Sequence, residues 1–168
     1  MSAGVDFTNE LQEKWATIDK SIRHQLKSRA YRAANELRNA SQLVLRGQRH
    51  GRRYIVPGTG RVKYNKRTKT AKVTYKYYTA SAPGEPPAVR TGAFRMGWKP
   101  KSYVLSESSS KLALISRVEN LQRTDNGKYL LGEILEEGTG KMAPRPHHEK
   151  IQQMALPKIM KIYNEPYV

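Results

Sequence analysis

The chain predicts an α+β fold: a long N-terminal helix and a C-terminal helix packed on a mainly antiparallel β-sheet with extended hairpins. Three observations carry this. An apolar stripe at helical spacing runs unbroken through the first 46 residues. Short alternating stretches, separated by turn signals, occupy the middle. A second helical stripe closes the chain. At 168 residues, a single domain spanning 1–168 is the default. With 38% hydrophobic residues and a mean hydropathy of −0.76, the core is modest, and two layers can share it.

The first helix is expected over 6–46. Phe7, Leu11, Trp15, Ile18, Ile22, Leu26, Ala30, Ala33, Leu37, Ala40 and Val44 recur in steps of three and four, with no Gly or Pro between. Asp6 is placed to cap its start and Gly47 to end it. About 40 residues at 1.5 Å each make a rod of about 60 Å, more than a compact domain of this size needs. The first half, with the large Trp15, Ile18 and Ile22, reads as an arm for a neighbouring subunit. The plainer alternative is a long helix bent over its own sheet. The Ala-rich second half suits close packing on a sheet.

Segment 47–79 reads as basic hairpins. Strands are expected over 52–56, 61–64 and 71–78, with turns at Pro57-Gly-Thr-Gly60 and over 65–70. Arg52, Arg53, Lys66, Arg67 and Lys69 stand out as cationic contact candidates. Segment 80–93 is a loop stiffened by Pro83, Pro86 and Pro87. Together with Arg90 it suits lying across another subunit, against the plain reading of a surface loop.

Segment 94–145 is expected to hold the sheet and a Gly-rich turn. Phe94, Met96 and Trp98 alternate, which suggests a strand beginning there. Strands over 103–105 and 112–118 flank a Ser-rich turn and are expected to form the sheet's centre. The loop 120–128 is polar, and 129–137 fits either helix or strand. Gly138 and Gly140 permit φ > 0. Pro144 and Pro146 fix φ and hold Ala143 and Arg145 extended. Pro146 suits the first turn of a last helix over 146–164, lined by Ile151, Ala155, Ile159 and Ile162. Pro157 inside it predicts a kink or restart.

The charge is +17, from 31 Lys+Arg against 14 Asp+Glu, which favours acidic proteins, nucleic acid or anionic surfaces as partners. Cysteine is absent, excluding disulfides and thiol chemistry. No apolar run nears the roughly 20 residues of a membrane span, and the start lacks a signal-peptide layout, so the chain is expected to be soluble and intracellular when made. Catalytic candidates fail one by one. Gly138-Thr-Gly-Lys141 lacks the remaining phosphate-loop positions, which hold Leu135 and Met142. Gly58-Thr-Gly60 has Lys63 where a dinucleotide motif needs Gly. His147 and His148, neighbours on a helix, are expected to point about 100° apart and not to chelate one ion. No enzyme activity, cofactor or metal is expected. The richest stretch is 46–78, where cations interleave with Tyr54, Tyr64, Tyr75, Tyr77 and Tyr78, a composition used by single-strand and RNA binders.

Two segments carry a resemblance. Glu137-Gly-Thr-Gly-Lys-Met-Ala-Pro-Arg-Pro146 and Ala80-Ser-Ala-Pro-Gly-Glu-Pro-Pro-Ala-Val-Arg-Thr-Gly-Ala-Phe-Arg95 resemble the signatures of the minor tail-component family of long-tailed bacteriophages, the tail-completion or neck proteins. The matching positions are Thr91, Gly92, Glu137, Gly138, Thr139, Gly140, Pro144, Arg145 and Pro146; Phe94 stands where that family often has Leu. The resemblance implies a structural virion protein that joins tail to head as a ring-forming connector, made in the host cytoplasm. Implied partners are further copies, a tail terminator, head-completion or connector proteins and the tail tube, with no membrane. Arg145 is expected to affect assembly more than folding if it meets a neighbour's carboxylate. The alternative is a basic nucleic-acid-binding protein using the 46–78 hairpins, and non-specific nucleic-acid contact in vitro is expected either way.

Overall fold

The computed structural model describes residues 7–108 and 111–167, with side chains from Gln12 onward. The expected Asp6 cap, the side chains of Phe7 and Leu11 and part of the Ser-rich turn lie outside the described residues. The architecture is α+β. Helix α1 (Phe7–Arg46) runs uninterrupted for 40 residues, as its unbroken stripe dictates. A hairpin of β5 (Lys99–Glu107) and β6 (Leu112–Glu119) lies along its second half, and α4 (His148–Tyr163) packs beside them.

The alanines explain how three elements fit on one helix. Ala30, Ala33, Ala34 and Ala40 of α1 and Ala155 of α4 are buried, and small side chains let the elements approach closely. The core proper joins Ala40, Val44, Leu45, Trp98, Ile151 and Ala155, flanked by Leu37, Phe94, Val118 and Ile159. Ser116 Oγ donates to the Ala30 carbonyl at 2.7 Å. At the far end of the hairpin, Lys27 Nζ reaches Glu107 at 3.1 Å. Such an exposed pair contributes under about 1 kcal/mol, so it sets register more than stability. The C-terminal tail is strapped to α1 by the buried Arg29, which donates to the carbonyls of Tyr163 (3.3 Å) and Pro166 (2.7 Å) and lies 3.9 Å from the Tyr167 ring centre.

Several expectations need correction. Among the described residues the strands form three two-stranded antiparallel ladders, and β5–β6 pairs with no further strand, so it is not the centre of a larger sheet; α1 covers it instead. Phe94 and Met96 belong to a one-turn helix, α2 (Ala93–Met96). Gly92, at φ 87°, turns the chain, and the Met96 and Gly97 amides close back on the carbonyls of Gly92 and Ala93. The spacing of Phe94 and Trp98 fits a helical turn as well as an alternation, and their rings meet edge to face at 5.6 Å. Within 129–137, where the sequence allowed either helix or strand, the helix is formed: α3 (Leu131–Glu137). Helix α4 begins after Pro146 rather than on it, and continues through Pro157 without a restart.

The basic segment is one nested ribbon rather than separate hairpins. β1 (Arg53–Ile55) pairs with β4 (Tyr77–Thr79), and beyond them β2 (Arg61–Asn65) pairs with β3 (Thr70–Thr74). The single strand expected over 71–78 breaks at Tyr75 and Lys76. There Thr59 Oγ1 donates to the Val56 carbonyl (2.6 Å) and accepts the Lys76 amide (3.1 Å), linking the two ladders.

Candidate functional site

The two segments singled out in the sequence, separated in the chain by residues 96–136, meet in the fold. Arg145 donates from Nη1 to the Ser81 carbonyl at 2.5 Å, and the Gly84 amide donates to the Pro144 carbonyl at 3.1 Å. The Arg145 amide bonds the Leu135 carbonyl at 2.8 Å. Arg145 is therefore an internal tie of the fold. Between the segments lies a cleft of about 480 Å³ with Phe94, Leu131, Leu135 and Met142 on its walls and Arg90 and Thr91 among its lining.

Gly138 makes this junction possible. Its φ of 79° and ψ of −170° lie in a region only glycine adopts readily. A Cβ there would sit 2.6 Å from the Met142 carbonyl oxygen and 2.7 Å from the Pro144 nitrogen. Thr139 and Met142 then exchange backbone bonds at 2.8 and 3.0 Å across a tight turn. Gly140, within that turn, has no positive φ and open space around it, so only one of the two expected glycine positions uses the freedom. Glu137 is exposed.

Its neighbour Glu136, which the sequence did not single out, fixes the start of α4. The Glu136 carboxylate accepts the amides of His147 (2.9 Å) and His148 (3.3 Å) and faces His147 Nδ1 at 2.7 Å. This supplies from another helix the cap that His147 does not give. His147 has non-helical angles (φ −140°, ψ −22°), so the two histidines converge rather than diverge, with ring centres 4.5 Å apart. The ligand atoms of Glu136, His147 and His148 lie within 4.8 Å of one another, contrary to the geometry expected for neighbours inside a helix. A cation there would face the positive end of α4, while the carboxylate is engaged by amides and Nδ1 of His147 also faces the Arg145 carbonyl at 3.0 Å. The cluster works as a cap.

His147 is fully buried. Burial pushes its pKa below the usual 6.5, against the Arg145 carbonyl and the Glu136 charge, which favour the proton. The folded ring stays neutral at a pH where the unfolded one takes a proton. Stability at this residue is therefore full above about pH 6.5 and declines as pH falls below it. Urea midpoints at pH 7.5 and 5.5 should differ more for the native chain than for His147→Asn, which keeps a side-chain donor but cannot titrate. Equal differences would refute the assignment.

A second acid also ties the fold. Glu85 accepts the amides of His50 (3.0 Å) and Ala82 (2.9 Å) and meets His50 Nδ1 at 2.6 Å. These bonds, the His50 amide foremost, hold its pKa down to about 2. Arg49 donates to the Pro87 carbonyl from Nε and Nη2 at 3.2 and 3.1 Å. Pro86 and Pro87 are consequently buried in their own chain, correcting the expectation that they lie across a neighbour; Pro83 and Arg90 are exposed.

Two exposed arms leave this body. Residues 12–21 of α1 are exposed throughout, including Trp15 (68%) and Ile18 (48%), while Ile22 is half-buried where the body begins. The ribbon exposes Arg52, Arg53, Lys66, Arg67 and Lys69. At its tip, Asn65 Oδ1 accepts the Arg67 amide at 3.0 Å, and Lys69 takes a left-handed φ of 51°. At its base, Tyr54 stacks on Tyr78 at 5.7 Å and the Arg53 guanidinium lies 4.3 Å from the Tyr77 ring centre. Comparison with family models, curated proteins and solved structures finds no match to this chain.

Proposed function

We propose that the chain is a structural subunit of the neck or proximal tail of a long-tailed phage virion, acting by binding rather than turnover. The observation that carries this is the pair of exposed arms on a body whose two motif segments lock together through Gly138, Arg145 and Ser81. That body fixes where each arm points, as a connector needs. The resemblance of segments 80–95 and 137–146 supports the same reading, with ring neighbours, a tail terminator, head-completion proteins and the tail tube as partners. Electron microscopy of particles made by the parent phage with this gene disrupted tests it. Filled heads beside separate tails, or tails with an unfinished proximal end, are expected. Intact infectious virions would sink it.

The ribbon favours a second reading, nucleic-acid binding: residues 52–79 hold nine Lys and Arg and no acid, interleaved with exposed tyrosines. Phosphate binding falls steeply with salt. Tight binding that persists at physiological salt would favour this reading over the neck one.

A further inference from the structure

We propose that the recess where α1 ends is a phosphate site, and that it takes the backbone of a single nucleic-acid strand that continues onto the basic ribbon. The recess has a volume of about 380 Å³. Its lining includes Arg46, Arg49 and Arg95, with Gln48, His50 and Thr79, and no carboxylate. The strand's identity rests on the nucleic-acid reading of the ribbon; the recess is an independent feature. A helix ends in bare carbonyls and partial negative charge, which repels an anion. Arg49 removes that obstacle. Its Nη1 donates to the carbonyls of Gly47 and Gln48 (both 2.8 Å), its Nη2 to those of Val44 (2.9 Å) and Pro87 (3.1 Å), and its Nε to Pro87 (3.2 Å). Carbonyls thus engage its five N–H donors but do not cancel its charge. Burial pushes its pKa below the ordinary value, and the charge of Glu85 only partly opposes this, so a nearby anion stabilises the charged form.

Arg46 and Arg95 supply the free donors. Among the described residues neither guanidinium has a hydrogen-bond or ion-pair partner. Arg46 is exposed and Arg95 half-buried. A half-buried guanidinium without a counter-charge is a costly arrangement that an oxyanion relieves, and its planar fork matches phosphate oxygens. Both residues also line a second recess of about 630 Å³, beside Lys158, which pairs with Glu36 at 3.2 Å. The two arginines are therefore a shared wall, suited to successive phosphates of one strand. The same surface continues onto the ribbon. Thr79 lines the first recess and pairs with Arg53, so their side chains share a face of the β1–β4 ladder. Tyr77, two residues along, lies on that face, 48% exposed, with the Arg53 guanidinium 4.3 Å from its ring centre. Cations beside aromatic rings are what an unpaired strand uses, phosphates on the one and bases on the other. An acidic peptide would engage the cations and leave the ring without a role.

Fluorescence anisotropy of a labelled single-stranded oligothymidylate, read across a salt series with the full-length chain, tests the site. Arg46→Gln with Arg95→Gln is expected to raise Kd several-fold and to flatten the log–log salt slope by about 1.4, the loss of two phosphate contacts at about 0.7 each. Lys14→Gln with Lys20→Gln removes the same charge from α1 about 40 Å or more away, beyond screened reach, and should change Kd less than about twofold. Arg46→Gln alone, on an exposed side chain, keeps the test valid where losing Arg95 disturbs the fold; about half the slope change is expected. Equal effects of the two double variants would reduce the binding to bulk charge and overturn the recess. Polyglutamate displacing the strand as well as inorganic polyphosphate does would make it a carboxylate site and overturn the phosphate assignment. Tyr77→Ala should weaken oligothymidylate and leave polyphosphate unchanged; no difference, or tighter binding of a duplex, would overturn the single strand as occupant. Lys66→Gln with Arg67→Gln separates recess from ribbon. If these tip changes weaken binding and the recess changes do not, the ribbon reading stands and the recess falls. If the native chain binds no oligothymidylate at low salt, both fall.

Discussion

Replacing Gly138 by Ala is expected to destabilise the chain by roughly 2–4 kcal/mol, combining backbone strain with a clash that cannot relax. Two independent features act together. The φ of 79° with ψ near −170° is unfavourable for any residue with a Cβ. The added Cβ would also meet the Met142 oxygen and Pro144 nitrogen at 2.6 and 2.7 Å, both backbone atoms rather than flexible side-chain ends. The chain must shift where Pro144 leads into Arg145, so the Arg145–Ser81 tie and the cleft beside it change too. Gly140→Ala is the internal comparison: its surroundings are open and its φ ordinary, so less than about 0.5 kcal/mol is expected. Urea denaturation of the two variants checks this. Similar midpoints would show that the turn yields easily and does not set the angle between α3 and α4.

What the sequence made legible is what local periodicity controls. Helix α1 follows from steps of three and four without a breaker, and its division into an exposed first part and an Ala-rich packed part follows from side-chain size. Phe94, Met96 and Trp98 failed as a strand because three residues cannot distinguish an alternation from a helical i, i+4 pair; the left-handed Gly92 decided it. The caps were illegible for a different reason. Glu136 and Glu85 act on amides that folding brings to them: one closes the start of α4 from a preceding helix, and the other binds His50 from 35 residues away. Pro86 and Pro87 read as a stiff exposed rod, but their burial depends on Arg49, whose donors are satisfied only once α1 ends beside the loop. The motif segments were visible as special, and their meeting through Arg145 and Ser81 needed the fold.

Trp98→Ala should be about as damaging, costing about 3–5 kcal/mol, as truncation of buried aromatics does when the surroundings relax only partly. Trp98 lies at the centre of the core, joining α1 and α4 to the start of the β5–β6 hairpin. Its ring meets Phe94 at 5.6 Å and His147 at 5.9 Å, both edge to face. Its Nε1 is buried without a hydrogen-bond partner, so the indole contributes by packing and not through its polar handle. Trp98→Phe, which keeps a ring and removes the unsatisfied donor, should therefore cost about 1–2 kcal/mol, well under the alanine variant. The two substitutions also separate packing from electrostatics at the cap. Removing the indole opens His147 to water, its pKa returns toward 6.5, and the loss of stability between pH 7.5 and 5.5 shrinks. In Trp98→Phe the ring stays covered and that loss should persist. If both variants kept the native pH dependence, burial by Trp98 would not be what keeps His147 neutral. The depressed pKa would then come from the remaining walls, chiefly Phe94, whose ring lies 5.7 Å away.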